Sequence, residues 1–261
     1  IPPKYTEIKE NTFKGKKGIT SIGIGENIKL INKRAFYECT DLENIIIPGT
    51  VETISEEAFL GCKNLSELTI KNGVKNIEKK AFSGSGITKL ILPKSVEIIE
   101  DNAFENCTNL TDIIIGNSVT NIAAYAFDGC KRIGHLTMGD NVKSIGNQAF
   151  RNCVGLQSVF FNARLQRIDD AFYGCTALNR ACIDDLASWC KISFSSQYAN
   201  PLCYGGTLVV NGIEIEDCLS IPGGVTSIGS YAFSQMSSLE NVTLPDGLQS
   251  IGVGAFRNCS A

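Results

Sequence analysis

The dipeptide Ala-Phe returns nine times, at Ala35-Phe36, Ala58-Phe59, Ala81-Phe82, Ala103-Phe104, Ala126-Phe127, Ala149-Phe150, Ala171-Phe172, Ala232-Phe233 and Ala255-Phe256. Successive phenylalanines lie 23, 23, 22, 23, 23, 22, 61 and 23 residues apart, and Phe13, after Thr12, extends the series 23 residues upstream. A period in the low twenties restricts the chain to a solenoid, because one such unit cannot bury a core alone and must stack on its neighbours.

The unit around Phe59 shows the grammar: Leu42, Ile45, Ile47, Pro48, Val51, Ile54, Ala58, Phe59 and Cys62. Ile45 and Ile47 are two apart, which places both on one face of a strand, and Pro48, with no N–H to give, ends it. The same slots carry Leu68/Ile70, Leu90/Leu92, Ile113/Ile115, Leu136/Met138, Val159/Phe161 and Val242/Leu244. Ile54, Ala58 and Cys62 are spaced by four, which predicts a short helix. Two residues after each phenylalanine stands Gly15, Gly61, Gly84, Asn106, Gly129, Asn152, Gly174 or Asn258, with Glu38 and Gln235 as exceptions. Glycine and asparagine tolerate the left-handed conformation, so this column reads as the helix C-cap.

The spacing L-x-x-I-x-I-P-x-x-V-x-x-I-x-x-x-A-F-x-x-C-x-x-L resembles the BspA-like leucine-rich repeat family of bacterial surface proteins over nearly all 261 residues. The fold expected is an α/β solenoid, a right-handed superhelix of about 23-residue repeats, each a short strand plus a short helix. It forms a single domain, 1–261, with regular repeats at 1–181 and 219–261 and an irregular insert at 182–218. Asp185 to Cys190, followed by Asn200-Pro201-Leu202 and Tyr204, resembles an insert that recurs in such proteins. The resemblance implies a secreted or surface-attached protein that adheres to a host extracellular protein or a surface glycan.

Ile1-Pro2, Tyr5 and Ile8 fill the Ile47-Pro48, Val51 and Ile54 slots, so the chain starts inside a repeat and stops at Ala261 before the next strand. It has no initiator methionine and no visible signal peptide, which marks it as a mature or excised fragment. Unpaired strand edges at both ends predict end-to-end self-association. With 43% hydrophobic and 20% charged residues the composition is that of a globular body, and no apolar run approaches the roughly 18 residues of a membrane helix. The net charge of -3 provides no nucleic-acid footprint. Lys4, Lys9, Lys14, Lys16 and Lys17 are interleaved with Glu7 and Glu10, as on an ordinary solvated face.

Seven of the eleven cysteines, Cys39, Cys62, Cys107, Cys130, Cys153, Cys175 and Cys259, fill one slot three residues after a phenylalanine, which reads as a core position for a reduced thiol. Cys182, Cys190, Cys203 and Cys218 fall in or beside the insert, where a Cys190–Cys203 or Cys182–Cys218 bridge is an open alternative. None forms a C-x-x-C pair, and their spacings match no zinc pattern, so no metal or other cofactor is expected. Within the insert, Leu186 to Ile192 reads as a short helix. Thr207 to Val210, Asn211-Gly212 and Ile213 to Ile215 read as a hairpin with a type I′ turn. Trp189, the single tryptophan, is either an anchor of the insert or a binding platform.

An enzyme is not expected. His135 is the one histidine, in a solvent-facing slot, and Asp169/Asp170 and Asp184/Asp185 are ordinary turn or cap residues. What remains is the outward side of the strands. Between the core positions the column reads Gly23, Ile46, Thr69, Ile91, Ile114, Thr137, Phe160, Cys182 and Thr243. Ile46, Ile91, Ile114 and Phe160 make an apolar stripe, read either as β-propensity alone or as a binding face. Beside it run Asn44, Glu67, Lys89, Asp112, His135 and Ser158. The candidate ligand-binding residues are therefore Ile46, Lys89, Ile91, Asp112, Ile114, His135, Thr137, Phe160, Trp189 and Tyr204. The alternative role is that of a structural spacer.

Overall fold

The computed structural model describes residues 4–259 as a β-solenoid of about 11 turns. The assignment of Ile1 and Pro2 to strand-ending slots lies outside the described residues. Each regular turn places one longer strand, such as Asn44–Ile47, on one side and a two-residue strand, such as Thr53–Ile54, on the next. The longer strands pair in parallel, Ile45 against Leu68 and Ile47 against Ile70. Up to the insert the two-residue strands form one parallel sheet of nine, from Glu7–Ile8 to Ser193–Phe194, and beyond it Ser227–Ile228 and Ser250–Ile251 pair separately. The Ile54 column thus belongs to a second sheet and not to a helix.

The expected helix in each turn does not form. Only Leu186–Trp189, in the insert, is an α-helix among the described residues. Around Phe59 the backbone N–H groups alternate. Ala58, Leu60 and Cys62 donate three residues back, to Ser55, Glu57 and Phe59 (3.1, 3.2 and 3.3 Å), while Glu57, Phe59 and Gly61 donate to Lys79, Ala81 and Ser83 of the next turn (3.0, 2.7 and 2.8 Å). A helix would direct every donor along its own axis. Here a left-handed residue every four positions, Glu57 (φ 57°) and then Gly61 (φ 72°), folds the segment into consecutive tight turns. Half the donors are thereby free to bind the neighbouring repeat. The spacing of four is the length of such a turn.

The glycine and asparagine column is left-handed as the residue types require, and Glu38 (φ 53°) and Gln235 (φ 70°) adopt the same conformation. A second left-handed column precedes each alanine at Arg34, Glu57, Lys80, Asn102, Tyr125, Gln148, Asp170, Tyr231 and Gly254. Only one of the nine is glycine. Each of the others costs on the order of 1 kcal/mol, and the bonds to the next turn hold it in place.

The phenylalanine rings form a continuous stack from Phe13 to Phe172, with centroids 4.9–5.6 Å apart and interplanar angles of 1–11°. That separation is close to the strand spacing, so rings and backbone repeat together. Beside the rings the cysteine column does more than fill space. Each thiol donates to the phenylalanine carbonyl of the preceding turn: Cys62 Sγ to Phe36 O at 3.1 Å, Cys130 to Phe104 at 3.2 Å, Cys153 to Phe127 at 3.3 Å. Buried Ser85 fills the slot in its turn, and its hydroxyl lies 3.3 Å from Cys107 Sγ.

Burial pushes the Cys62, Cys130 and Cys153 thiols well above the ordinary thiol range. Their unfolded counterparts ionise above about pH 8.5, so beyond that pH the unfolded state binds fewer protons and stability falls as pH rises. Urea denaturation in reductant should show a steep loss between pH 8.5 and 10. Cys130→Ser should flatten that slope by about 1.4 kcal/mol per pH unit; an unchanged slope would refute buried, neutral thiols.

Candidate functional site

The outward stripe follows from strand register. Ile91 pairs with Ile114, Ile114 with Thr137, Thr137 with Phe160, and Phe160 with Cys182, so these side chains climb the sheet in single file. Ile91, Ile114 and Phe160 are 49, 53 and 47% exposed. Ile46 is equally exposed but belongs to a separate three-stranded sheet, paired with Thr69. The two sheets part where the repeat loses one residue, between Ser85 and Ile87. There Gly86 N–H donates to Cys62 O (3.1 Å), and a side chain at Gly86 would place Cβ 2.1 Å from Lys63 O. Only glycine fits that shortened corner. At its other end the stripe stops, because Cys182 and its partner Val209 are buried.

Of the expected polar column, Lys89, Asp112 and His135 are exposed, while Ser158 is buried. Lys89 and Asp112 are register partners, and His135 Nδ1 is 2.8 Å from the hydroxyl of buried Ser158. Lys89, Asp112, Ile114, Arg132 and His135 line a shallow depression of about 360 Å³. The one contact here between a base and a hydroxyl, His135 with Ser158, holds that hydroxyl buried beneath the surface. Among the described residues no group of three His, Cys, Asp or Glu side chains is placed to hold a metal ion.

Trp189 and Tyr204 stand apart from this face: Trp189 is buried, whereas Tyr204 is exposed with its hydroxyl bonded to the backbone. Trp189 is 1% exposed, packs on Phe161 and Phe194 at 5.6 and 5.3 Å, and donates its indole N–H to Ala232 O at 2.9 Å. In a regular stack that carbonyl would accept from the phenylalanine N–H of the turn before, as Ala171 O accepts from Phe150 (2.9 Å). Asn200 Nδ2 donates to Tyr231 O and Ala232 O at 2.6 and 3.0 Å. Tyr204 works in the other direction. Its hydroxyl accepts the Gly174 N–H at 2.6 Å, where Asn152 finds the Tyr173 carbonyl (2.9 Å). The insert therefore joins two halves of the stack with side-chain groups in place of backbone ones. Its hairpin forms as expected, with Asn211 (φ 50°) and Gly212 (φ 80°) in the turn and Val210 paired to Ile213.

All eleven cysteines are free thiols. Neither open bridge forms: Cys182 and Cys190 are buried, Cys203 is half-buried and Cys218 is exposed. Burial raises Cys190 to about 11 and Cys203 to about 12, so neither is a ready thiolate.

One cationic region carries no signal in the sequence, the corner after the Ser158–Phe160 strand. There Arg164 stands between Lys143 of the preceding turn and Lys191 of the insert, around a depression of about 320 Å³. No motif marks these cations, because each lies at a different point of the repeat.

A family model described as "BspA type Leucine rich repeat region" matches residues 1–111, 97–199 and 212–261. None of the curated proteins matches the chain. Among solved structures, the chain is similar to a leucine-rich repeat protein from Bacteroides ovatus ATCC 8483, at 19% identity over 97% of this chain and 87% of that one, with a TM-score of 0.44. It is also similar to a leucine rich cell surface protein from Faecalibacterium prausnitzii A2-165, at 25% identity over 94% and 78%, TM-score 0.42. The pneumococcal vaccine antigen PcpA is a third, at 20% identity over 94% and 73%, TM-score 0.42.

Two measurements check the insert. Tyr204→Phe removes the acceptor of the Gly174 N–H and should cost about 0.5–1.5 kcal/mol in urea denaturation, against no change for a tyrosine whose hydroxyl meets only water. A thiol reagent at pH 8 should label Cys218 first and Cys203 and Cys259 more slowly. The other eight should react only on unfolding, whereas a denatured count below eleven would reveal a bridge.

Proposed function

The chain belongs to the BspA-type leucine-rich repeat family, and from that premise we propose that it is a non-enzymatic, cell-surface or secreted binding module. It holds a protein or glycan along the outward strand face and beside the insert. The observation that carries this reading is the column Ile91, Ile114 and Phe160, each about half exposed. Strand propensity would be served equally by threonine, which fills Thr69 and Thr137 of the same column. Large apolar side chains in water instead favour a partner that covers them. Lys89, Asp112 and His135 alongside supply polar selectivity, and Ile46 and Thr137 extend the face.

Placement outside the cell rests on the family; no helix among the described residues is long and apolar enough to cross a membrane. A second reading, that of a spacer displaying another domain, is favoured by the unbroken ring stack and the nine-stranded sheet, which make a stiff rod.

The test is a binding screen against extracellular-matrix proteins, mucins and bacterial surface glycans, repeated with Ile114→Asp. Binding that falls at least about tenfold in a variant with an unchanged Tm supports the module. A screen without binders, or a folded Ile114→Asp protein that binds as before, favours the spacer.

A further inference from the structure

Resting on the strand face as the binding surface, we propose that its end beside the insert takes an anionic oligosaccharide. A depression of about 470 Å³ runs from Thr137 and Phe160 to Arg164 and Asp184. It shares Arg164 with the adjoining depression whose charged lining is Lys143, Arg164 and Lys191, with no carboxylate among the residues that form it. The two adjoin at Arg164 as one groove, with Phe160 beside Asp140 and Asp184 at the strand end and the cations at the insert end.

The cations are uncommitted. None of the three lies within ion-pair distance of a carboxylate among the described residues. Asn141 Oδ1 accepts from Arg164 and orients the guanidinium, whose remaining N–H groups are left to a ligand. Asp185 is the carboxylate whose charge Lys191 feels, and its oxygens are engaged by Ala187 and Ser188. Asp140, in the strand-end depression, is engaged by Asn117. Residues 101–261 carry 9 Lys/Arg against 14 Asp/Glu, so three unpaired cations around one hollow run against the local charge.

The surroundings choose among anions. The Ser158–Phe160 strand is paired on both sides, with Leu136 and with Ala181 flanking Val159, so no free edge exists to hold a peptide backbone. Three cations are too few to track a polyanionic nucleic acid backbone. A sugar ring instead offers a C–H face to the exposed Phe160 ring and hydroxyl donors to Asp184, which is exposed and makes no side-chain hydrogen bond among the described residues. A carboxylate or sulfate on that sugar is what Arg164 can grip bidentately, with the two lysines as point charges beside it.

Titration calorimetry on the whole chain tests this with sialyllactose against lactose, and with hyaluronan and sulfated chondroitin tetrasaccharides. We expect at least one anionic probe to bind, lactose to bind at least about tenfold more weakly, and Arg164→Gln or Lys191→Gln each to cost about tenfold with Tm unchanged. Binding should weaken with added salt, and Lys63→Gln should have no effect. Preference for the sulfated probe over the carboxylated ones names the anion. Failure of every anionic probe at millimolar concentration, equal binding of lactose, or unchanged binding by folded Arg164→Gln overturns the groove. Ile114→Asp separates this outcome from the strand-face reading. If saccharide binding depends on Arg164 but no ligand responds to Ile114, the groove stands and the stripe falls. If a protein partner depends on Ile114 while no saccharide binds, the groove falls and the stripe stands.

Discussion

Everything in this molecule depends on backbone hydrogen bonds made between turns. Parallel strands repeat at a fixed spacing near 4.8 Å, and each turn must reproduce that advance on every side at once. The rings stacked from Phe13 to Phe172 meet it because the phenylalanine N–H bonds the alanine carbonyl one turn on. The thiol column meets it from inside, each sulfur reaching the carbonyl of the ring residue one turn back. A helix in each repeat would keep its hydrogen bonds to itself and leave this side of the stack with packing alone.

The same constraint explains the insert. Once the period fails between Phe172 and Phe233, the edges of two stacks face each other without a register to share. Trp189, Asn200 and Tyr204 supply the missing donors and acceptor from side chains, forward to Tyr231 and Ala232 and back to Gly174. Trp189 is therefore buried in the joint, and the Tyr204 hydroxyl is bonded there while its ring stays exposed. The cost of an unsatisfied backbone group at such a joint is comparable to that of losing a hydrogen bond, which gives their placement its physical reason.

The stripe and the groove differ in how far they were legible. Ile91, Ile114 and Phe160 could be found from alternation, because a strand's period of two assigns a face to every residue once the core slots are known. Lys143, Arg164 and Lys191 could not. They occupy unrelated positions in three successive turns, the last of them in the irregular insert, and only stacking brings them around one hollow.

By itself the sequence determined the solenoid, its period, the strand slots, the buried phenylalanines and cysteines, the left-handed glycine and asparagine column, and the hairpin at Asn211-Gly212. All of these follow from local conformation or from a repeat that must bury the same positions each time. Tertiary structure alone decided that the Ile54-to-Cys62 segment makes a short strand and tight turns in place of a helix, that thiols act as donors, and that Trp189 and Tyr204 bridge a break. It also decided which cations share a groove. The reason is common to all four: each depends on where the neighbouring turn places its carbonyls and side chains, which is a property of the stack and not of any one repeat.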